Sequence, residues 1–367
     1  TFADLGLSDD VLRALDECGY ILPTPIQEAA IPFVAAGHDL IANAQTGTGK
    51  TAAFTLPIID DIATRPSFKG DTPLALVLAP TRELADQVHQ NIVEYGKHTG
   101  ARSVVIVGGV SSVPQIEKLR QGVDFVVATP GRLIDLVEQG ECVLDDVEFL
   151  ILDEADRLLD MGFMHDVRWI ADKVPTPRQT LMFSATMSPE VRSLASTIQV
   201  DAKNVAVAPP ATLADNIEEQ IMFVDKLDKR AALIDLLQKD TTEQTLIFTA
   251  TKVAASLVAK QLDSEGIKAV AIHSNKTQAQ RASALKSFVN GRSQVLVATD
   301  IVARGIDVEG ISHVINYEMP ENSENYVHRI GRTARAGKEG KAVSLVCIED
   351  VSYLRGVLRL LKEDTVN

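Results

Sequence analysis

A glycine-rich segment near the start of the chain has the residue types that bind phosphate groups. It reads AQTGTGKT and lies between a strand-like run, DLIAN, and a helix-like run, AAFTLPIIDDIA. A turn of this kind presents backbone N–H groups and the positive end of a helix to phosphates, while its lysine supplies a mobile cation and its last threonine a Mg²⁺ ligand. A structural glycine turn is the alternative. The candidate residues are Ala44, Gln45, Thr46, Gly47, Thr48, Gly49, Lys50 and Thr51, with Thr51 as the metal ligand.

Carboxylates follow an apolar run further along the chain. Residues 149–152 read FLIL and are followed directly by Asp153, Glu154, Ala155 and Asp156. Ligands of α/β proteins bind at the carboxyl ends of the strands. Asp153 would hold Mg²⁺, directly or through water, and Glu154 would orient and deprotonate an attacking water. An acidic helix N-terminus, which stabilises a helix dipole without chemistry, is the alternative.

Three turns in the first half of the chain have groups that could contact nucleic-acid phosphates. Each follows a strand-like run and offers backbone N–H groups, hydroxyls or one arginine. Taken singly, each is explained equally well as a helix cap or a turn. No aromatic series for base stacking lies between them, so we expect contacts to the backbone and no sequence specificity. The candidate residues are Pro80, Thr81, Arg82, Gly109, Thr129 and Arg132.

The elements that must position these residues are short aliphatic runs alternating with helix-patterned segments, which predicts βαβ units. Runs this apolar suit parallel strands covered on both faces by helices. The tandem prolines of VAPPATLADN, residues 207–216, cannot continue a helix or a central strand. We therefore predict an α/β fold with a domain at 1–208, a linker at 209–216 and a domain at 217–367. The expected strands are 39–42, 74–79, 103–107, 125–128, 149–152, 180–183, 245–248, 269–272, 294–298, 313–316 and 343–347.

Composition and charge describe an ordinary globular chain with an acidic first half. Of 367 residues, 46% are hydrophobic and 23% charged, which excludes disorder on a large scale. The net charge of −14 argues against a polyanion partner, because phosphate backbones are bound by dense Lys and Arg surfaces. Residues 1–208 hold 16 Lys and Arg against 29 Asp and Glu, whereas residues 209–367 hold 20 against 21. The acidity therefore belongs to the first domain.

The cysteines and apolar runs favour a reducing compartment without membranes. Cys18, Cys142 and Cys347 are far apart, which excludes a disulfide framework and a zinc ribbon. The longest apolar stretches fall short of the roughly 18 residues that a membrane helix needs. The first ten residues carry acidic and no basic side chains, which is not the pattern of a signal peptide. We expect a cytoplasmic protein.

Nine motifs in order resemble the DEAD-box family of ATP-dependent RNA helicases over essentially the whole chain. They are GYILPTPIQ, AQTGTGKT, PTRELA, GG, TPGR, DEAD, SAT, TDIVARGID and HRIGRTAR. Ala44 stands where the general phosphate-binding pattern has glycine, and this alanine is usual in the family. The stretch AIHSNKTQAQRASALKSF is similar to bacterial RhlE-type members. The resemblance implies two tandem RecA-like domains, each with a mostly parallel sheet flanked by helices, ATP and Mg²⁺ as cofactors, and RNA as partner.

The resemblance also assigns residues around the nucleotide. Gln27 would read adenine through its amide, and Phe2 would pack on the base, with a core aromatic as the alternative. Tyr20 stands where phenylalanine is more usual, and Asp307 would bond the ribose. Thr24 and Gly305 belong to the same two motifs.

The second domain carries an arginine motif, residues 328–335, which reads HRIGRTAR. Its three arginines are spaced by three and fall near one helix face, where like charges are costly unless an anion faces them. We expect Arg332 and Arg335 to act as arginine fingers on the γ-phosphate, worth about 10³ to 10⁵ in rate, with His328 in the same motif. A solvated basic face is the alternative.

Further contacts follow from the remaining motifs. Ser184 and Thr186 would relay hydrogen bonds between the DEAD residues and the second domain, with a helix cap as the alternative. In the second domain the resemblance implies RNA contacts by Thr249, Arg281, Thr299 and Arg304.

The implied activity is local unwinding of short RNA duplexes or remodelling of RNA–protein complexes, driven by closure of two domains on ATP. A nucleotide-switched clamp on RNA or protein is an open alternative, and a DNA translocase of the same superfamily is disfavoured by the Gln27 motif and the DEAD residues. We expect a monomer whose protein partners bind flanking tails. RNA binding should be weak without ATP, with a salt slope of roughly −0.7 per phosphate contact.

Overall fold

The computed structural model describes residues 1–44, 47–65, 72–207, 216–239, 244–300, 311–334 and 339–363. Two compact units, Thr1–Ala208 and Pro209–Asn367, divide the chain. Of the predicted linker, 209–216, all but Asn216 lies outside the described residues.

The first unit is built on a sheet of seven parallel strands. Their order across the sheet is β3-β4-β2-β5-β6-β1-β7. The central strands β2, β4 and β5 are buried along their whole length, because helices cover both faces. The strands are β1 Leu40–Asn43, β2 Ala75–Leu78, β3 Ser103–Ile106, β4 Phe125–Ala128, β5 Phe149–Leu152, β6 Gln179–Ser184 and β7 Lys203–Ala206.

Nine helices flank this sheet among the described residues, after a short 3₁₀ turn at Phe2–Leu5. Several begin where the sequence offers a cap. Ser188 accepts a hydrogen bond from the Val191 N–H at the start of α9, and proline follows the cap. The helices are α1 Asp9–Glu17, α2 Pro25–Ala35, α3 Lys50–Thr64, α4 Arg82–Tyr95, α5 Val113–Arg120, α6 Pro130–Glu138, α7 Ala155–Asp160, α8 Met164–Lys173 and α9 Pro189–Ile198.

The second unit repeats the architecture with six parallel strands in the order β10-β11-β9-β12-β13-β8. The strands are β8 Ile217–Phe223, β9 Thr245–Thr249, β10 Ala269–Ile272, β11 Val295–Thr299, β12 His313–Asn316 and β13 Gly340–Val346. The helices are α10 Lys229–Lys239, α11 Lys252–Ser264, α12 Gln278–Val289, α13 Ser323–Ile330 and α14 Val351–Glu363, with a 3₁₀ turn at Ile348–Asp350.

The predicted α/β class with parallel sheets is confirmed, and two strands were missed. Both missed strands, β7 and β8, lie at sheet edges. In β7 only Val205 is buried, and no residue of β8 is more than half-buried. Neither has the continuous apolar run from which the others are predicted. No helix in the described part of the chain has the length and apolar character needed to cross a bilayer.

Candidate functional site

The predicted site residues of the first unit follow two sets of neighbouring strands, which form the two halves of one sheet edge. The segments predicted to bind nucleotide follow β1, β5 and β6, which are neighbours in the sheet. The turns predicted to meet nucleic-acid phosphates follow β2, β3 and β4, which are also neighbours. Because all these strands are parallel, their carboxyl ends lie at the same edge. The two halves adjoin where β2 pairs with β5.

The glycine-rich turn joins β1 to α3. Gly49 is the N-cap of α3 with a φ of 90°, a left-handed conformation that suits glycine. Lys50, the first helical residue, is buried, and Thr51 is half-buried. Ala44 is buried, and its N–H donates to the Ser184 carbonyl at 3.0 Å, which joins the turn to the end of β6. Gln45 and Thr46 lie outside the described residues.

Gln27 connects this turn to the start of α2. Its side chain is 1% exposed. The amide oxygen accepts from the Thr24 N–H at 2.8 Å, and the amide nitrogen donates to the Gly49 carbonyl at 3.1 Å. These bonds fix the orientation of the amide while its oxygen keeps a second lone pair and its nitrogen a second proton. Adenine recognition by Gln27 stays a prediction.

Asp153 follows β5 directly and is 2% exposed. Its Oδ1 accepts from the Glu154 N–H at 3.0 Å. Burial raises the pKa of Asp153 to about 6, and the nearby positive charges of Lys50 and Arg157 act in the opposite direction. The end of β5 and the start of α3 therefore place a buried carboxylate and a buried ammonium close together, as a site for phosphate and a divalent cation requires.

Glu154 is buried beside Arg157, a basic residue that is not among the predicted site residues. Its Oε2 accepts from Nη1 of Arg157, and both side chains are buried. Its backbone has a φ of 49°, in the left-handed region that non-glycine residues seldom occupy. The spacing of three residues on α7 was the available signal for this pair. Arg157 orients the Glu154 carboxylate and balances its charge.

Ser184 and Thr186 bind the DEAD residues through Asp156. Asp156 Oδ2 accepts from the N–H and the hydroxyl of Thr186 at 3.0 and 3.1 Å. Ser184 Oγ accepts from the Asp156 N–H at 3.2 Å and donates to the Thr186 carbonyl at 2.7 Å. Neither residue caps α9, whose N-cap is Ser188. The network connects the loops after β5 and β6, and the predicted relay to the second domain stays a prediction.

Phe2 lies in the apolar core of the first unit, 4% exposed. Its ring centroid is 6.2 Å from that of Tyr20, whose hydroxyl shares a 2.9 Å hydrogen bond with the Tyr95 hydroxyl. This placement agrees with the core alternative for Phe2. The predicted packing of Phe2 and Tyr20 around a base stays a prediction.

The turns after β2, β3 and β4 meet one another. The Arg82 guanidinium packs against Gly109, which has a φ of 72°. Both terminal nitrogens of Arg132 donate to the Val110 carbonyl, at 3.2 and 3.3 Å. Both arginines therefore contact the same loop.

The threonines of these turns differ in role. Thr81 is the N-cap of α4, and its hydroxyl accepts from the Leu84 N–H at 3.3 Å. The predicted RNA contact of Thr81 stays a prediction. Pro80 precedes it and is buried. Thr129 occupies the N-cap position of α6 without a side-chain cap bond. Its N–H donates to the Ile106 carbonyl at 3.0 Å and joins the ends of β3 and β4.

The second unit has a comparable edge. Thr249 ends β9 and Thr299 ends β11, and these strands are neighbours. Arg281 lies on α12, which follows β10, and its Nη2 donates to Gln278 Oε1 at 2.6 Å. The sheet order β10-β11-β9 brings these positions to one side of the unit. Arg304, Gly305 and Asp307 lie outside the described residues.

The expectation that the three arginines of HRIGRTAR share one helix face is wrong for Arg332, because α13 ends at Ile330. Gly331, a poor helix former, follows. Arg329 faces an anion of its own unit: its Nε and Nη2 donate to the Asp300 carboxylate at 2.6 and 2.8 Å. Arg332 is buried, and its Nε donates to the His328 carbonyl at 3.3 Å. Arg335 lies outside the described residues.

Comparison with known proteins finds two family matches and many relatives that match nearly the whole of this chain. Residues 24–194 match the DEAD/DEAH box helicase family and residues 228–337 the helicase conserved C-terminal domain. The DEAD-box ATP-dependent RNA helicase RhpA of Helicobacter pylori is 40% identical over 363 residues, covering 99% of this chain and 72% of that protein. The DEAD-box ATP-dependent RNA helicase 52A of Oryza sativa subsp. japonica is 42% identical over 387 residues, covering 99% and 64%.

A solved structure, S. cerevisiae Dbp5 bound to RNA and ADP BeF3, superimposes with a TM-score of 0.88 at 32% identity and covers 99% of this chain and 93% of that one. The chain spans about two thirds of the length of the curated relatives it matches.

Proposed function

The chain belongs to the DEAD-box helicase family, and from this premise we propose that it is an ATP-dependent RNA helicase. It hydrolyses ATP in response to RNA and unwinds short duplexes or remodels RNA–protein complexes by ATP-driven closure of two domains. One observation carries the proposal. A single sheet edge holds a buried Lys–carboxylate site after β1, β5 and β6 and a set of phosphate-facing turns after the adjoining strands.

In the nucleotide half, the backbone of residues 44–51 and the Lys50 ammonium bind the phosphates, and Gln27 reads adenine. Glu154 orients the attacking water and accepts its proton. The buried ion pair of Glu154 with Arg157 supports this role, because it holds the carboxylate in one orientation. Arg332 and Arg335 stabilise the charge on the γ-phosphate.

The residues present fit a Mg²⁺ ion. Asp153 is a buried carboxylate whose ionised form is disfavoured by burial, and a divalent cation beside it would favour that form. Mg²⁺ binds through one or two protein ligands together with substrate phosphates. Asp153 and Thr51 would hold the ion, which would neutralise phosphate charge.

The nucleic-acid half binds the RNA backbone. Gly108, Gly109 and Val110 lie at least partly exposed, and none of their N–H groups donates a hydrogen bond to another described residue. Free N–H groups beside Arg82 and Arg132 suit a phosphate and carry no base information. Recognition is therefore independent of RNA sequence. The further contacts are Pro80, Thr81 and Thr129 in the first unit and Thr249, Arg281, Thr299 and Arg304 in the second.

We propose residues 1–208 as the ATP-binding helicase domain, 209–216 as a linker and 217–367 as the second helicase domain. The division of the chain into two compact units supports these bounds. Ser184 and Thr186 signal between the domains, and Asp307 bonds the ribose.

The protein acts in the cytoplasm as a monomer, and protein partners bind segments that flank the helicase core. The three cysteines are free, which supports a reducing compartment. The greater length of the curated relatives supports partner segments outside the core.

The proposal is tested by measuring ATP hydrolysis with single-stranded RNA, duplex RNA and DNA side by side at one stated salt concentration. RNA should stimulate hydrolysis and DNA should not. Equal stimulation by DNA, or no stimulation by any nucleic acid, would contradict the proposal.

A further inference from the structure

One buried side chain holds the loop between β3 and α5, residues 107–112. Gln115, 7% exposed, lies in the first turn of α5. Its Oε1 accepts from the Val107 N–H at 3.0 Å, and its Nε2 donates to the carbonyls of Val107 and Ser111 at 3.1 and 3.0 Å. A glutamine at this helix position usually reaches back to the N-cap residue. Gln115 instead reaches the beginning and the end of the loop and closes it into a ring.

This ring encloses three N–H groups that have no acceptor among the residues that the structure describes. Gly108, Gly109 and Val110 lie between the two anchored residues, and their N–H groups donate to no other described residue. Arg132 also contacts this loop by donating to the Val110 carbonyl. Both amide protons of Gln115 are used by the loop backbone, so its bonding serves the loop alone.

We infer that Gln115 is a positioning residue for RNA: it fixes the loop so that the free N–H groups and Arg132 meet one phosphate of the RNA backbone together. This inference rests on the proposed function. Gln115 is buried and does not itself contact RNA. Without it the loop would be ordered only when RNA binds, and the cost of that ordering would reduce the RNA affinity.

Loss of the Gln115 hydrogen bonds should change one kinetic parameter, the RNA concentration that gives half-maximal ATPase activity. The nucleotide residues follow β1, β5 and β6, in the other half of the sheet edge. A loosened β3–α5 loop should therefore raise the RNA concentration that gives half-maximal ATPase activity, while the KM for ATP and the kcat at saturating RNA stay the same. A purely structural role would lower the melting temperature and leave the RNA requirement unchanged when the assay is run well below that temperature.

The test compares Gln115→Met, which keeps side-chain length and loses all three hydrogen bonds, with the wild type. The control is Gln121→Met, the same change at the exposed C-terminal end of the same helix. We expect Gln115→Met to raise the half-maximal concentration of a single-stranded RNA about tenfold, with kcat and the KM for ATP within about twofold. The control should match the wild type. Hydrogen exchange at the Val107 N–H should increase in Gln115→Met alone.

A second variant tests the inference if Gln115→Met does not fold. Gln115→Glu keeps the side-chain volume and the bond from the Val107 N–H but loses both donated bonds, and it should also raise the RNA requirement. An unchanged RNA requirement in a folded variant would overturn the inference, and so would failure of both variants to fold, since Gln115 would then be structural. A wild type that RNA does not stimulate would instead refute the proposed function.

Discussion

Replacing Gly109 with alanine should weaken RNA binding and leave nucleotide binding intact. Gly109 has a φ of 72°, and a Cβ there would collide with the Arg82 guanidinium. Gly49, with a φ of 90°, offers the opposite case, because a Cβ there would collide with the Gln27 amide and lie 3.1 Å from Thr24 Oγ1. Gly140 has a φ of 73° with no atom within 4 Å of such a Cβ. The three alanine variants therefore share one backbone strain and differ in what the new methyl group meets.

The expected free-energy costs of the three variants differ for this reason. Alanine in the left-handed region costs roughly 1 kcal/mol in each variant. In Gly109→Ala the methyl group also displaces Arg82, which would then lose its proposed hydrogen bond to an RNA phosphate. A hydrogen bond to a charged group is worth about 1.5 to 3 kcal/mol. That loss corresponds to an increase of roughly 10- to 150-fold in the RNA concentration for half-maximal ATPase. In Gly49→Ala the displaced Gln27 should raise the KM for ATP by a similar factor.

The assay titrates ATP at saturating RNA, and RNA at saturating ATP, for the three variants and the wild type. We expect Gly109→Ala to change the RNA titration, Gly49→Ala the ATP titration, and Gly140→Ala neither, with similar losses of melting temperature for Gly109→Ala and Gly140→Ala. The division of the sheet edge into two halves is refuted if Gly109→Ala raises the KM for ATP as much as the RNA requirement. It is also refuted if Gly109→Ala and Gly140→Ala have the same kinetics.

Two further predictions concern stability. Arg329→Met should lower the free energy of unfolding of the second unit by about 3 to 5 kcal/mol, because it leaves the Asp300 carboxylate without its buried partner. Urea unfolding followed by circular dichroism measures this loss. The control Arg355→Met, at an exposed position, should unfold like the wild type. Burial, aided by the charge of Glu83, raises the pKa of Asp86 from 3.8 to about 6. The ionised form of Asp86 therefore destabilises the folded state. Asp86→Asn should raise the free energy of unfolding by about 1 to 2 kcal/mol above pH 6 and leave it unchanged below pH 4. Urea unfolding at the two pH values measures this difference. An equal gain at the two pH values would contradict this.

The fold was predictable wherever an apolar run was continuous. β4 and β5 were predicted at their observed bounds, because FVVA and FLIL are continuous apolar runs buried inside a parallel sheet. The edge strands β7 and β8 were not, since a strand with one paired side needs no such run. The order of the strands follows from long-range pairing, which the pattern of a single segment does not contain.

The site was predictable where its residues are adjacent in sequence and not where they meet through the fold. The glycine-rich turn and Asp153 follow from local spacing and a strand end. The contact of Asp156 with Thr186 depends on β5 and β6 being neighbours, and the clamp of Gln115 depends on the path of one loop. Arg329 was grouped with Arg332 by spacing alone, whereas in the structure it is committed to Asp300.

If ATP and RNA bind to the two halves of one sheet edge, as proposed, bound ATP should increase the affinity for RNA. Glu154→Gln tests it most directly, because this variant should bind ATP without hydrolysing it. The measurement is the affinity of Glu154→Gln for a fluorescently labelled single-stranded RNA, by anisotropy, with and without ATP at one salt concentration. We predict binding that is tighter by about tenfold or more with ATP, and weak binding without it. Equal affinity in the two conditions, or tight binding without ATP, would contradict the account.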